Sequence, residues 1–310
     1  MKSNDYHRTS VFHLAAGLTA AAAFFSPLFG WDQVHNLGPG VNTPGDERGL
    51  QRTYDGSQLL YSSNWTGTDY EVFWATPSGG YEWDLCVPCA IPVLNAPGYN
   101  DLAPTMNEAY DMIVFGSNRP GGQGGMDLWV SRLVGGAWAE PENLGLPVNS
   151  PGDEEMPYIS PDGSALYFGS NRAGGLGNHD VWVSHSTDGG YIWSEPENLG
   201  PPVNTAFSER GPSLSPDGSL LFFGSNRPGG AGGVDVWISE NLGGSWGDPT
   251  NAGSPVNTSA DETCPSGDEN ELYFGSTRPG GFGDKDLYVA VIEATRTEAT
   301  TWGRIKSTFR

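Results

Sequence analysis

The sequence is short of cations, of cysteine and of helix. Fifteen Lys and Arg stand against 37 Asp and Glu, a formal net charge of −22 over 310 residues. Phosphate binding needs a basic surface, so nucleic acid is excluded as a partner, while cations, basic peptides and neutral glycans stay open. Three cysteines are too few for a disulfide framework. Cys86 and Cys89 form a Cys-x-x-Cys pair in a strand pattern, without the helix N-terminus that lowers a thiol pKa. Zinc would need two more ligands nearby, so a local disulfide or plain packing remains. The 45 Gly and 24 Pro suit tight turns and disfavour helices.

What is present is a repeat. An Asn following an apolar residue recurs at Asn42, Asn95, Asn149, Asn204 and Asn257, in steps of 53, 54, 55 and 53 residues. A fixed period of this length, holding several short strand-like runs, marks a propeller. The third copy reads as one blade of four strands: Met156–Ser160, Ala165–Ser170, Asp180–Ser184, and a run from Trp193 toward Gly200. Ser160-Pro161-Asp162-Gly163 joins the first two, Pro presetting one turn position and Gly tolerating positive φ.

Two anchor series confirm the period. Trp74, Trp129, Trp182, Trp237 and Tyr288 fall in third strands; Trp31, Trp83, Trp138, Trp193 and Trp246 fall in fourth strands. The second series starts before the first Asn, and the last copy lacks a fourth strand. The segment Trp31–Leu37 therefore supplies it, and the expected fold is an all-β, five-bladed propeller closed by its own N-terminal strand. The blades run over about 41–92, 93–147, 148–202, 203–255, and 256–294 plus 31–40. Residues 1–30, with Lys2, His7 and Arg8 before an apolar run, read as a signal peptide or, if uncleaved, an anchor. Residues 295–310 read as a loose tail.

Antiparallel geometry puts the start of strand one, the loop between strands two and three, and the end of strand four on one face. Five residues after the Asn come Glu47, Glu154, Glu209 and Glu262; the second blade has Asn100 there, with Asp101 next. Flanked by Arg48 and Arg210 among other charges, these acids form a candidate ring at the channel mouth. Either they bind a ligand there or they accept hydrogen bonds that hold the blades together. Arg119 and Asp127, Arg172 and Asp180, Arg227 and Asp235, and Arg278 and Asp286 stand eight apart and are expected to pair across the glycine-rich loops. The first blade carries Trp65 and Glu71 instead, and Trp65 and Tyr70 are candidate rim aromatics for sugar or peptide stacking. Ser186 to Trp193 matches the S-x-D-x-G-x-x-W Asp-box of sialidase-type propellers, on the opposite face.

From Ser160-Pro161-Asp162-Gly163 to Val183, and from Ser215-Pro216-Asp217-Gly218 to Ile238, the pattern S-P-D-G-x-x-L-x-F-x-S-N-R-x-G-G-x-G-x-x-D-[LVI]-W-V resembles the WD40-like repeats of TolB-like bacterial envelope proteins. The second and fifth blades depart from it at the first turn. The resemblance implies an exported periplasmic or extracellular propeller that binds a protein, peptide or cell-wall glycan, and carries over no catalytic residue. A monomer without its own reaction is expected, touching a membrane only through an uncleaved N-terminus. The alternative is a glycoside hydrolase or sialidase-like enzyme using channel-mouth carboxylates, which need a separation of about 5 Å or 6.5–9.5 Å. No cofactor is implied, apart from calcium, which hard oxygen ligands among the channel acids would suit.

Overall fold

A computed structural model describes residues 30–292, without the side chains of residues 85–90. The body of the N-terminal leader, the C-terminal tail and the Cys86/Cys89 pair lie outside the described residues. Among the described residues every regular element is a strand, and the strands form five small antiparallel sheets. Blade 1 comprises Glu47–Arg52, Leu59–Ser63, Glu71–Gly79 and Glu82–Ala90. Blade 3 comprises Glu154–Ile159, Ala165–Ser170, Asp180–His185 and Glu197–Asn198.

Blade 5 is built from Glu262–Gly267, Glu271–Ser276 and Asp286–Val291, and its outer strand is Gln33–Asn36. The pairing is antiparallel, from Gln33 opposite Val291 to Asn36 opposite Tyr288. The ring therefore closes through the N-terminal segment, as the Trp series requires. The outer strands of blades 2, 3 and 4 are shorter than the sequence suggests: Glu142–Asn143, Glu197–Asn198 and Thr250–Asn251 have two residues each. Trp193 lies before its outer strand, buried between blades 2 and 3 with Val114, Leu128 and Phe168.

Blades stack face to face, so an inner strand is covered on both sides and loses the alternation of a one-sided sheet. Met112–Ser117 and Leu220–Ser225 are buried at all six positions. The Asn that sets the period joins neighbouring blades. Leu128 N–H donates to Asn149 Oδ1 at 2.8 Å, and Asn149 Nδ2 returns a bond to the Leu128 carbonyl at 2.9 Å. Asn95 holds Val72, Asn204 holds Val181 and Asn257 holds Val236 in the same way. Asn42 holds Leu287 across the ring closure at 2.7 and 2.9 Å.

Every first hairpin carries a β-bulge at one position. The bulged residues Gly49, Ala103, Met156, Gly211 and Cys264 all have φ between 48° and 58°. They converge on the axis, where Cys264 Sγ lies 3.5 Å from Met156 Sδ and a Cβ on Gly49 would come within 2.3 Å of Ala103. This ring narrows the axial channel to a cavity of about 30 Å³, enough for about one water. Two blind cups remain, one on each face.

Asn149→Ala strips partners from a buried N–H and a buried C=O. At about 1–3 kcal/mol for each orphaned group, denaturant unfolding should show a loss of about 3 kcal/mol. A loss below about 0.5 kcal/mol would remove the clasp from this account.

Candidate functional site

Glu47, Asp101, Glu154, Glu209 and Glu262 occupy equivalent positions, all with zero exposure. They do not line the mouth. Glu154 accepts from Ser150 N–H at 2.8 Å, Ser150 Oγ at 2.6 Å and Ser170 Oγ at 2.8 Å. Its remaining charge is met by Arg172 at 3.0 Å. That Arg also donates to the Val148 carbonyl and lies over Phe168 and Trp182. Arg119 meets Asp101 at 2.5 Å, Arg227 meets Glu209 at 3.2 Å and Arg278 meets Glu262 at 3.3 Å. A buried carboxylate needs such compensation, and the planar guanidinium supplies charge and aromatic contact together.

The expected pairing of these Arg with the Asp eight residues on is thus corrected. Asp127, Asp180, Asp235 and Asp286 instead accept N–H groups of the glycine-rich loops, as Asp235 does from Ala231 at 3.0 Å. These loops press on the following blade. A Cβ on Gly124, Gly177, Gly232 or Gly283 would fall within 2 Å of a carbonyl oxygen there. The glycines allow blade contact, and phosphate has no place in the loop. The Asp-box turn is local: Asp188 accepts from Tyr191 and Ile192 N–H at 3.0 and 2.9 Å.

Blade 1 has Trp65 where the others place Arg, so Glu47 is buried with hydroxyl and N–H donors but no guanidinium. Burial pushes its carboxyl up to about 7, with Asp286 adding to the rise. Trp65 is 46% exposed. Tyr70, by contrast, is buried: its hydroxyl donates to Asp46 at 2.9 Å and its ring lies under Arg48. Tyr70 is therefore a support for Arg48, and only Trp65 of the two rim aromatics presents an open face.

The mouth itself is built from two other rings. One is the residue after each buried acid: Arg48, Leu102, Glu155, Arg210 and Thr263. The other precedes strand three, where Tyr70, Met126, His179, Val234 and Lys285 accept the N–H of the next blade's acid through their carbonyls. Arg48, Arg210, Lys285, Met156, Cys264 and Phe207 line a cup of about 500 Å³ on this face. Arg52 lies on the opposite face, 2.7 Å from Glu271. Gln51, Tyr54, Tyr158 and Tyr273 line a cup of about 290 Å³ there.

Charge in the mouth is mixed. Arg48 pairs with Asp46 at 3.0 Å, and Arg210 reaches Glu155 at 3.6 Å. Burial raises the Glu155 carboxyl despite that arginine. Asp153 and Asp261 each accept an N–H from the preceding blade, so they serve the joint. Asp153, Glu155 and His179 bring ligand-type atoms within 4.8 Å of one another. The arrangement does not suit a metal. Arg210 donates to His179 Nδ1 at 2.8 Å, which puts the imidazole proton on Nε2. Burial and Arg210 lower the His179 pKa to about 4, keeping the ring neutral. A protonated Nε2 offers no lone pair to a cation.

No family profile matches the chain, and no curated protein matches it in sequence. Solved structures do match in fold. TolB from Acinetobacter baumannii superposes with a TM-score of 0.51 at 17% identity, covering 80% of this chain and 55% of that one. The chain thus spans about half the length of that protein. A structure titled glycoside hydrolase has a TM-score of 0.60 at 12% identity, covering 84% and 90%. The catalytic domain of a Coprinopsis cinerea GH62 alpha-L-arabinofuranosidase reaches 0.53 at 12% identity, covering 84% and 97%. At these identities the likeness establishes a β-propeller fold and nothing finer.

Glu47 generates a pH signature. Its folded pKa lies above the ordinary 4.5, so its proton favours the folded state at low pH. That contribution is full below about 4.5 and lost as pH rises through about 7. The stability difference between the wild type and Glu47→Gln should therefore shift in favour of the variant between pH 4.5 and 8. Parallel stability profiles would contradict an uncompensated Glu47.

Proposed function

We propose that this chain is a binding propeller with no reaction of its own, taking an acid-bearing ligand from a protein, peptide or glycan into the cup of Arg48, Arg210 and Lys285. One observation carries the reading. Nine Lys and Arg fall in the described residues; four brace the buried acids, while Arg52 and Arg132 are engaged elsewhere. The other three, Arg48, Arg210 and Lys285, come from blades 1, 4 and 5 and meet in one cup. In a chain of net charge −22 such a cluster is a recognition feature, drawing one acidic group while the surrounding field repels polyanions. The basic start and apolar run before Trp31 support export.

A glycoside hydrolase is the second reading, favoured by the two glycosidase neighbours and by Asp153 and Glu155 lying within 4.8 Å. Against it, Asp153 is occupied by Met126 N–H and the Asn171 amide. Glu155 is then the one unspent carboxylate of the inner ring, and a glycosidase needs two. Probing glycan and peptide arrays with wild type and Arg48→Gln should find acid-bearing ligands bound by the former and lost from the latter. Release of reducing sugar from any bound glycan would overturn the non-enzymatic reading, and ligands that bind Arg48→Gln unchanged would move the site elsewhere.

A further inference from the structure

The cup on the face opposite the mouth is asymmetric where the scaffold is not. The first hairpin of blade 5 closes over 268–271, two residues fewer than the others, which close over 53–58, 107–112, 160–165 and 215–220. Blade 5 therefore reaches less far down this face. Tyr273 of its second strand lines the cup, while its equivalents Leu60, Val114, Tyr167 and Phe222 do not. Blade 3 adds Tyr158, where the other blades have Gln51, Thr105, Ser213 and Ser266. Tyr54, in the first hairpin of blade 1, supplies a third ring.

Its charge is the reverse of the mouth's. Glu108, Asp268 and Glu271 line it against Arg52 alone, and Glu271 already holds that guanidinium at 2.7 Å. The Tyr273 hydroxyl donates to the same carboxylate at 3.2 Å. Asp268 ties its own turn through one oxygen, accepting from Asn270 and Glu271 N–H at 2.7 and 2.9 Å. Glu108 is exposed, and among the described residues it spends no side-chain bond on the scaffold. From these groups we infer that the second cup takes an aliphatic cation, an ammonium or guanidinium on a methylene stem, held among Tyr54, Tyr158 and Tyr273 with its charge met by Glu108 and Glu271. Tyrosine suits such a guest twice over, because the ring attracts a cation and the hydroxyl oxygen accepts its N–H. An anion finds only a paired arginine and three carboxylates. At about 290 Å³ the cup is at the small end for a ligand site, the size for one such group rather than a folded segment. The bulged residues close its floor, so the cation enters from this face and does not pass the axis. The site lies on the other side of the ring from Arg48, Arg210 and Lys285 and stands independently of the ligand proposed there.

Isothermal titration of the full chain tests this with acetyl-Gly-Gly-Lys-Gly-Gly-amide, its norleucine counterpart and spermidine. The lysine peptide or spermidine should bind about tenfold or more tightly than the norleucine peptide. Glu108→Gln and Tyr54→Leu should each weaken that binding about threefold or more, with unfolding midpoints unchanged. Glu140→Gln removes the same charge at an exposed position outside the cup and should leave binding as it is. Tighter binding of the lysine peptide assigns the cation to a peptide, and tighter binding of spermidine assigns it to a free polyamine; either supports the site. Equal binding of the norleucine peptide, or no binding by any of the three, removes the cation from the account. Equal weakening by Glu108→Gln and Glu140→Gln would reduce the effect to the diffuse field of an acidic chain. Undiminished binding by both Glu108→Gln and Tyr54→Leu would put the guest outside the cup. Any of these results overturns the inference.

Discussion

The fold depends on a carboxylate buried at the same place in every blade. Taking an ionised carboxyl out of water costs several kcal/mol unless its charge and lone pairs are met. Here Ser and Thr hydroxyls, one backbone N–H and, in four blades of five, an arginine meet them. The same arginine bonds the carbonyl preceding the interblade Asn and stacks on the aromatics of strands two and three. Strand one, its glycine-rich loop and the joint to the previous blade thus share one charge centre. This explains the near-constant repeat of N-[ST]-x-x-x-[DE], S-N-R and G-G-x-G along the chain.

Because that machinery consumes its own charges, recognition falls to positions it leaves free. The scaffold uses only the backbone of the residue after the buried acid and of the residue before strand three, so their side chains can differ from blade to blade. They do: the first ring reads Arg, Leu, Glu, Arg, Thr and the second Tyr, Met, His, Val, Lys. A five-fold scaffold thereby carries an asymmetric cup. Chemistry follows from that asymmetry, with His179, Glu155 and Arg210 on neighbouring blades and Lys285 and Arg48 lining one cup across the ring closure.

The architecture was legible in the sequence because it is written five times. Period, blade count and closure by Trp31–Leu37 all follow from residues that recur, since recurrence reports what the scaffold needs. Recurrence misled for the same reason at the site. The repeated Glu looked like a ring of binding groups, whereas repetition marks a structural task, and each Arg meets the acid 16 or 18 residues before it, from just past the end of strand two, rather than the Asp eight residues on. Tyr70 looked like a rim aromatic, but Arg48 and Asp46 cover it. The cup was readable in principle, as the columns where aligned repeats disagree. What spacing could not supply was the orientation of the His179 ring, which depends on an Arg 31 residues away.

The central claim is that the repeated acids are internal and that recognition belongs to the residues beside them. Carbodiimide labelling of carboxylates on the folded protein, read residue by residue in a mass spectrometer, addresses it most directly. The exposed Glu140 and Glu195 should label fastest and Glu155 more slowly, while Glu47, Glu209 and Glu262 stay unlabelled until the protein unfolds. Labelling of Glu209 or Glu262 at the rate of Glu195 would put the acid ring back at the mouth and contradict the account.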